Sequence, residues 1–300
     1  MMYRRAAVVY NPAAGAKRGA RVREAVEAVG RWAANVEVLE TRGPGSATEL
    51  ARKACQAGAD LVLACGGDGT VNEVVNGVAP GPTAVGVLPA GTANALAVEV
   101  GLPRDPVRAA QRLGEMEARR VALGRLRVAG APPRYFVLAC GAGLDARVLY
   151  ETRASLKKRL GIAAYWVAGL SLLGRELEVV NVEVKGRRRE CTMALFTRTG
   201  ALGGGLRVCR RSHLLDVEME ALLFPSRSTV RYMLYMMAAQ ARRLEWCRDV
   251  ERATVTSAQM DGEARVEADG EDAGRLPAVV EIAPDSLTLL LPRRFVETGG

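Results

Sequence analysis

The sequence predicts two domains of different class: an α/β amino-terminal domain on a mainly parallel sheet, and a β-rich sandwich carboxy-terminal domain. Three observations carry this. Up to about residue 119, short apolar runs alternate with helix-like segments, the pattern of a parallel sheet covered on both faces. Beyond Arg119 most apolar runs are joined by turns instead, which reads as packed antiparallel sheets. A length of 300 residues is long for one core and suits two. The boundary is placed near 115–126, giving domains 1–125 and 126–300. The sequence leaves open whether the last strand returns to the first domain.

Residues 6–10, Ala-Ala-Val-Val-Tyr, read as a buried first strand, with Asn11-Pro12-Ala13-Ala14-Gly15 as the turn after it. Val22, Val26, Val29 and Ala33 recur at helical spacing and predict a helix over 20–34. Residues 36–39 form a second strand, followed by Thr41, and Ser46 is placed to cap a helix running to 57. Residues 60–65 form a third strand. The turn Gly66-Gly67-Asp68-Gly69-Thr70 ends it before a helix with Val71, Val74, Val75 and Val78 inward. Residues 84–88 form a fourth strand, and Pro89-Ala90-Gly91-Thr92-Ala93-Asn94 turns into a helix over 95–100. In the second half, strands are expected over 121–128, 135–140, 177–184, 191–197, 215–223, 253–257, 279–282 and 287–291. Helices are expected near 156–173 and 230–246. The apolar stretch 160–173 is too short to span a bilayer comfortably. It reads as a buried helix or as one that touches a membrane.

Ligands on parallel sheets bind at the carboxyl ends of the strands. Four polar elements should meet there: the Asn11 turn, Thr41, the Gly66–Thr70 turn and the Gly91–Asn94 turn. Gly66, Gly67 and Gly69 let a ligand approach the backbone, and the N–H groups of such a turn and helix start attract phosphate. Asp68 would repel a bare phosphate, so Mg²⁺ between the two is the consistent reading. Two plainer readings stand beside this one. A Gly-Asp-Gly turn is commonly only a loop, and Asn94 is as well placed to cap the next helix as to bind a ligand.

Composition narrows the class. Hydrophobic content of 49% with 25% charged residues is that of an ordinary globular protein. The net charge of +9 favours polyanions, anionic membranes or phosphorylated ligands without choosing among them. The charge is uneven: residues 185–243 carry 12 basic and 4 acidic side chains, and 245–285 carry 11 acidic and 4 basic. That reads either as two solvated faces or as a membrane-facing basic surface with acids gathered near a reaction centre. Six scattered cysteines without a CxxC pair fit a reducing compartment. Arg4 and Arg5 run straight into a strand, so no secretory leader is expected. His213 is the only histidine, which weakens any histidine-based triad or metal site. No GxxxxGK[ST] occurs, and GxGxxG fails at the central turn because Asn72 stands where a third glycine belongs.

The stretch Gly66-Gly67-Asp68-Gly69-Thr70-Val71-Asn72-Glu73-Val74-Val75-Asn76-Gly77 resembles the signature of the diacylglycerol kinase catalytic domain family, which includes bacterial soluble lipid kinases and sphingosine and ceramide kinases. Leu88-Pro89-Ala90-Gly91-Thr92-Ala93-Asn94-Ala95-Leu96-Ala97 resembles its second motif, and Asn11-Pro12-Ala13-Ala14-Gly15 its amino-terminal turn. Asp269-Gly270-Glu271, followed by Leu276-Pro277 and a strand, resembles its carboxy-terminal motif. A second Asp-Gly-Glu, at Asp261–Glu263, has the poorer spacing.

The resemblance implies an NAD-kinase-like or diacylglycerol-kinase-like fold and ATP- and Mg²⁺-dependent phosphorylation of a lipid hydroxyl. It implies that Asn11, Pro12, Ala13, Ala14, Gly15, Thr41, Gly66, Gly67, Asp68, Gly69, Thr70, Val71, Asn72, Glu73, Gly91, Thr92 and Asn94 hold the nucleotide. Asp68 would organise Mg²⁺, partly through water. Glu271, with Asp269 beside it, would accept the hydroxyl proton. Phosphoryl transfer needs little more than a metal, a cradle and one base. The implied partners are a lipid at the inner face of a membrane, with docking through residues 185–243, and no nucleic acid.

Three departures are visible. Ala14 replaces a serine, and Ala95 stands where many bacterial members have aspartate. Ser212-His213-Leu214 replaces the Asp-Gly that supplies a structural Mg²⁺ site in some members, so that site is expected to be absent. Two other classes stay open: a kinase with a soluble acceptor such as NAD, and a non-catalytic lipid-binding protein of the same fold.

Overall fold

A computed structural model describes residues 2–14, 19–144, 177–200, 202, 207–209 and 212–298. Gly15, the expected helix over 160–173 and the glycine stretch at 203–206 lie outside them. The chain divides into two compact units, Met1–Leu123 with Pro284–Gly300, and Gly124–Ala283. The tail thus belongs with the first unit.

The first unit contains β1 (Tyr3–Tyr10), α1 (Gly19–Val29), β2 (Ala33–Glu40), α2 (Ser46–Gln56), β3 (Leu61–Gly66), α3 (Asp68–Val78), β4 (Ala84–Pro89), α4 (Ala95–Glu99) and α5 (Pro106–Gln111). Its strands run parallel in the order β2-β1-β3-β4. Every residue of β3 and β4 is buried, as strands covered on both faces must be. Their continuous apolar runs are what made them readable. β2 is an edge strand with mostly exposed residues, and its first two residues, Ala33 and Ala34, fall in the span expected as helix. The expected helix over 20–34 overran because α1 ends at Val29 and the chain breaks at Gly30. The Trp32 carbonyl then accepts the Met2 and Tyr3 N–H groups, and Ala33 pairs with Tyr3 as strand.

β5 (Met116–Val128) leads into the second unit, which contains β6 (Arg134–Phe136), β7 (Ala139–Gly143), β8 (Val180–Val184), β9 (Arg187–Cys191), β10 (Met193–Thr197), β11 (Met219–Phe224), α6 (Thr229–Gln240), β12 (Glu251–Val255), β13 (Ser257–Gly262), β14 (Arg265–Ala268) and β15 (Glu271–Arg275). β16 (Ala278–Pro292) then carries the chain back to the first unit, where Thr288 and Leu289 pair in parallel with Ala84 and Val85 of β4, before α7 (Arg293–Thr298).

The second unit is an antiparallel sandwich. One sheet runs β12-β11-β10-β7-β14-β15; the other sets β13 between the start of β16 and β8, with β9 at its edge. Alternate residues of both sheets form one core: Val180, Val182 and Val184 of β8 face Cys140 and Ala142 of β7, Ala194 and Phe196 of β10, and Ala221 and Leu223 of β11. The opposite face of the first sheet, with Leu195, Leu222 and Phe224, packs under Tyr232, Tyr235 and Ala239 of α6. The expected strand over 135–140 is two strands, those over 279–282 and 287–291 are one, and β9, β13, β14 and β15 went unread.

Candidate active site

Register brings the expected elements of the first unit to one edge. Tyr10 pairs with Glu40 on one side and Cys65 on the other, and Gly66 pairs with Pro89. The Asn11 turn, Thr41, the Gly67 turn and the Gly91 turn therefore all begin within a residue or two of the same carboxyl edge.

Hydrogen bonds tie these turns together. Asn11 Nδ2 donates to Thr70 Oγ1 at 3.0 Å, and Asn11 Oδ1 accepts from the Ala13 N–H at 3.0 Å. Asn11 thus shapes its own turn and fastens it to α3. The Thr41 N–H donates to the Tyr10 carbonyl at 2.8 Å. The Gly67 and Gly91 turns touch: a Cβ on Gly91 would stand 2.4 Å from Gly67 Cα. A Cβ on Gly66 would meet Thr70 Oγ1 at 2.4 Å. Gly91 is therefore demanded by turn-to-turn packing, and Gly66 by the close approach of Thr70 within its own turn, before any ligand is considered.

Asp68 joins the two turns. Its Oδ1 accepts the Ala95 N–H at 2.5 Å, so a carboxylate from α3 supplies the acceptor at the start of α4. Asn94 does not cap that helix. It adopts φ 50° without a side-chain cap bond, and its amide closes the Gly91 turn, accepting from Gly91 N–H at 3.0 Å and donating to Gly91 O at 2.9 Å. Ser46 makes no cap either. Its hydroxyl donates to Gly43 O at 2.5 Å and accepts from Arg42 N–H. The start of α2 is held instead by Glu73, whose two carboxylate oxygens accept Gly45 N–H and Ala47 N–H, each at 2.9 Å. Gly77 allows the same helix pair to close, since a Cβ there would lie 2.4 Å from Thr48 O.

The predicted nucleotide residues thus fall into two groups. Pro12, Ala13 and Thr92 are exposed, and Asn11, Ala14, Thr41, Gly67, Asp68, Gly69 and Gly91 are half-buried at the edge. Gly66, Thr70, Val71, Asn72 and Asn94 are buried, and Glu73 is committed to α2. The N–H groups of the first turn of α3 point out of the helix without an intrahelical acceptor, as at every helix start, and carry its positive dipole end. Cys65, just before them, is inert: burial pushes its thiol up to about 12. Among the described residues no group of three or more His, Cys, Asp or Glu could hold a metal ion. Asp68 alone suits only an ion that takes its other ligands from phosphate and water, which is the habit of Mg²⁺.

The second unit holds the other predicted pair. Asp269, at φ 49°, accepts the N–H groups of Val137, Leu138 and Ala139 at 2.8, 2.8 and 3.1 Å. It anchors the turn to the start of β7. Glu267, 3% exposed, accepts the Gly270 N–H at 2.7 Å. Glu271, two residues beyond Asp269, is exposed at the start of β15. The sequence reading missed Glu267, although an acid between Val266 and Ala268 in an apolar strand is a visible signal. It also missed Arg198, fully buried at the end of β10. Arg198 Nη2 donates to Leu214 O at 2.7 Å and Asp216 O at 3.1 Å, while its Nε and Nη1 have no partner among the described residues. Burial lowers its pKa to about 10, against the opposing pull of Asp216 and Asp269.

Comparison with known proteins makes the chain a phosphotransferase with an alcohol group as acceptor. Family models for the diacylglycerol kinase catalytic domain and the YegS C-terminal NAD kinase beta sandwich-like domain match residues 5–126 and 139–291. A diacylglycerol kinase of Bacillus subtilis (strain 168) is 31% identical over 310 residues, covering 98% of each chain. One from Staphylococcus carnosus (strain TM300) is 27% identical over 286 residues, covering 92% of each. A crystal structure described as a diacylglycerol kinase, from Bacillus anthracis str. Sterne, superposes with TM-score 0.77 at 20% identity, covering 97% of this chain and 98% of that one. That likeness supports the fold. The chain belongs to the diacylglycerol kinase family and is a lipid kinase.

Proposed function

We propose that the protein transfers the γ-phosphate of ATP to the hydroxyl of a diacylglycerol-like or long-chain amino-alcohol lipid, with Mg²⁺ as the metal. The observation that carries the nucleotide half is the register that sets the Asn11, Thr41, Gly67 and Gly91 turns along one edge, beside the start of α3. Asn11, Thr41, the Gly67–Thr70 backbone and Thr92 hold the phosphates and ribose, and Asp68 holds Mg²⁺, which neutralises phosphate charge when bound. Glu73, Asn94 and Asp269 are positioning residues, because their side chains are bonded to the backbone of the turns and helices they shape. Glu271 takes the hydroxyl proton. The six free cysteines support a reducing, cytoplasmic setting, with the protein peripheral at the inner face of an anionic membrane.

Incubation with γ-labelled ATP, Mg²⁺ and a panel of lipids tests this. Label is expected in a diacylglycerol or sphingoid base. Label in NAD would identify a soluble-acceptor kinase, and nucleotide binding without transfer would identify a non-catalytic protein.

A further inference from the structure

Of the eight exposed large hydrophobic side chains among the described residues, four lie between residues 230 and 246. Val230, Leu234 and Met237 follow one another at i, i+4 and i+7 on α6 and are 59%, 46% and 56% exposed. They form one stripe about 10 Å long. The opposite face of the same helix, Tyr232, Tyr235 and Ala239, is buried on the sandwich. A helix apolar on both faces has been left with one of them uncovered. Just beyond it Trp246 is 66% exposed, with the Arg243 guanidinium 4.1 Å above its ring.

The chain around the stripe is mostly basic, although Arg231 is paired with Asp249 and Arg227 with Glu190. Residues 225–248 contain five arginines and one glutamate. Elsewhere in the basic 185–243 stretch, Arg188 pairs with Asp261, Arg189 with Glu251, and Arg198 is buried. An apolar helical stripe, an exposed tryptophan and a rim of arginines are the parts of an interfacial anchor. A second copy of the chain is the poorer occupant, because a two-fold contact through this face would set arginines against arginines.

We propose that α6 and Trp246 form the surface by which this protein docks on an anionic lipid bilayer. This rests on the lipid-kinase reading and locates its membrane contact, replacing the diffuse basic stretch with one helix face. The face is held in place from below: Asp249 accepts from two of the three Arg231 nitrogens, Nε at 3.0 Å and Nη2 at 2.6 Å, and Tyr235 donates to the same carboxylate.

The test uses the full chain without ATP, on vesicles of phosphatidylcholine alone or mixed with phosphatidylglycerol, both free of diacylglycerol. Binding is therefore read separately from phosphorylation. The wild type is expected to sediment with the mixed vesicles, and its emission to shift to the blue; Trp246→Phe removes that shift. The double variant Leu234→Glu, Met237→Glu should lower vesicle binding at least about tenfold. Arg242→Ala with Arg243→Ala should weaken it and flatten its salt dependence. Phosphorylation of a lipid dispersed in detergent should stay unchanged in the double variant. Wild-type vesicle binding by a folded double variant overturns the proposal. So does a change from dimer to monomer on sizing, which would make the face a contact between copies.

Discussion

The turns at Gly66–Thr70 and Asp269–Glu271 share their letters, a glycine beside an acid, and use them in opposite ways. In the first, the side chain reaches outward: Asp68 bridges to Ala95, and the backbone of the α3 start lies at the sheet edge. In the second, three backbone N–H groups converge on the side chain of Asp269, while Glu271, two residues on, is exposed. A carboxylate that organises a site and one that builds it cannot be told apart by motif. They are told apart by which atoms the acid already holds.

Breaking the second turn at its reactive end should have the largest effect. Glu271→Gln is expected to lower kcat by about 10²–10⁴-fold with the KM for nucleotide unchanged, measured by label transfer; a drop in nucleotide affinity alone would return Glu271 to a structural role. Breaking its anchor should act on stability. Asp269→Ala leaves three N–H groups without an acceptor and should cost about 3 kcal/mol in urea unfolding. Asp269→Asn, which tolerates the left-handed conformation, should cost less. In the first turn, Gly91→Ala forces a Cβ against Gly67 Cα and should cost about 1–3 kcal/mol.

The smallest effect sharpens the contrast between backbone and side-chain partners. Asp249 is held by the Arg231 guanidinium in partly exposed surroundings, which lowers its pKa from 3.8 to about 2. Because the folded pKa is the lower one, the stabilisation is present above about pH 4 and is lost as pH falls toward 2. Solvent screening keeps it under about 1 kcal/mol. Asp249→Asn should remove that acid slope in a pH series of thermal melts, with little change at neutral pH.

The sequence was most legible where burial is complete. β3 and β4 read as strands because both faces are covered, and the Gly67 and Gly91 turns could be placed from them. Legibility failed at edges. Arg187–Cys191 carries three arginines and shows no apolar alternation, yet it pairs with β8 from Val180 to Val184. It failed also for caps supplied from a distance. Glu73 holds the start of α2 from 26 and 28 residues away, and Asp68 holds α4 from 27, so neither helix start is held by its local candidate, Ser46 or Asn94. Glu73 and Gly77 read as part of a nucleotide signature; their geometry belongs to helix packing.

Asp68 is where scaffold and site meet, and Asp68→Ala is the most direct test. Label transfer from γ-labelled ATP to lipid should fall about 10³-fold. The lost acceptor for α4 should cost only about 1 kcal/mol, or about 2–4 °C in the melting temperature. A folded Asp68→Ala protein that turns over normally would contradict the account.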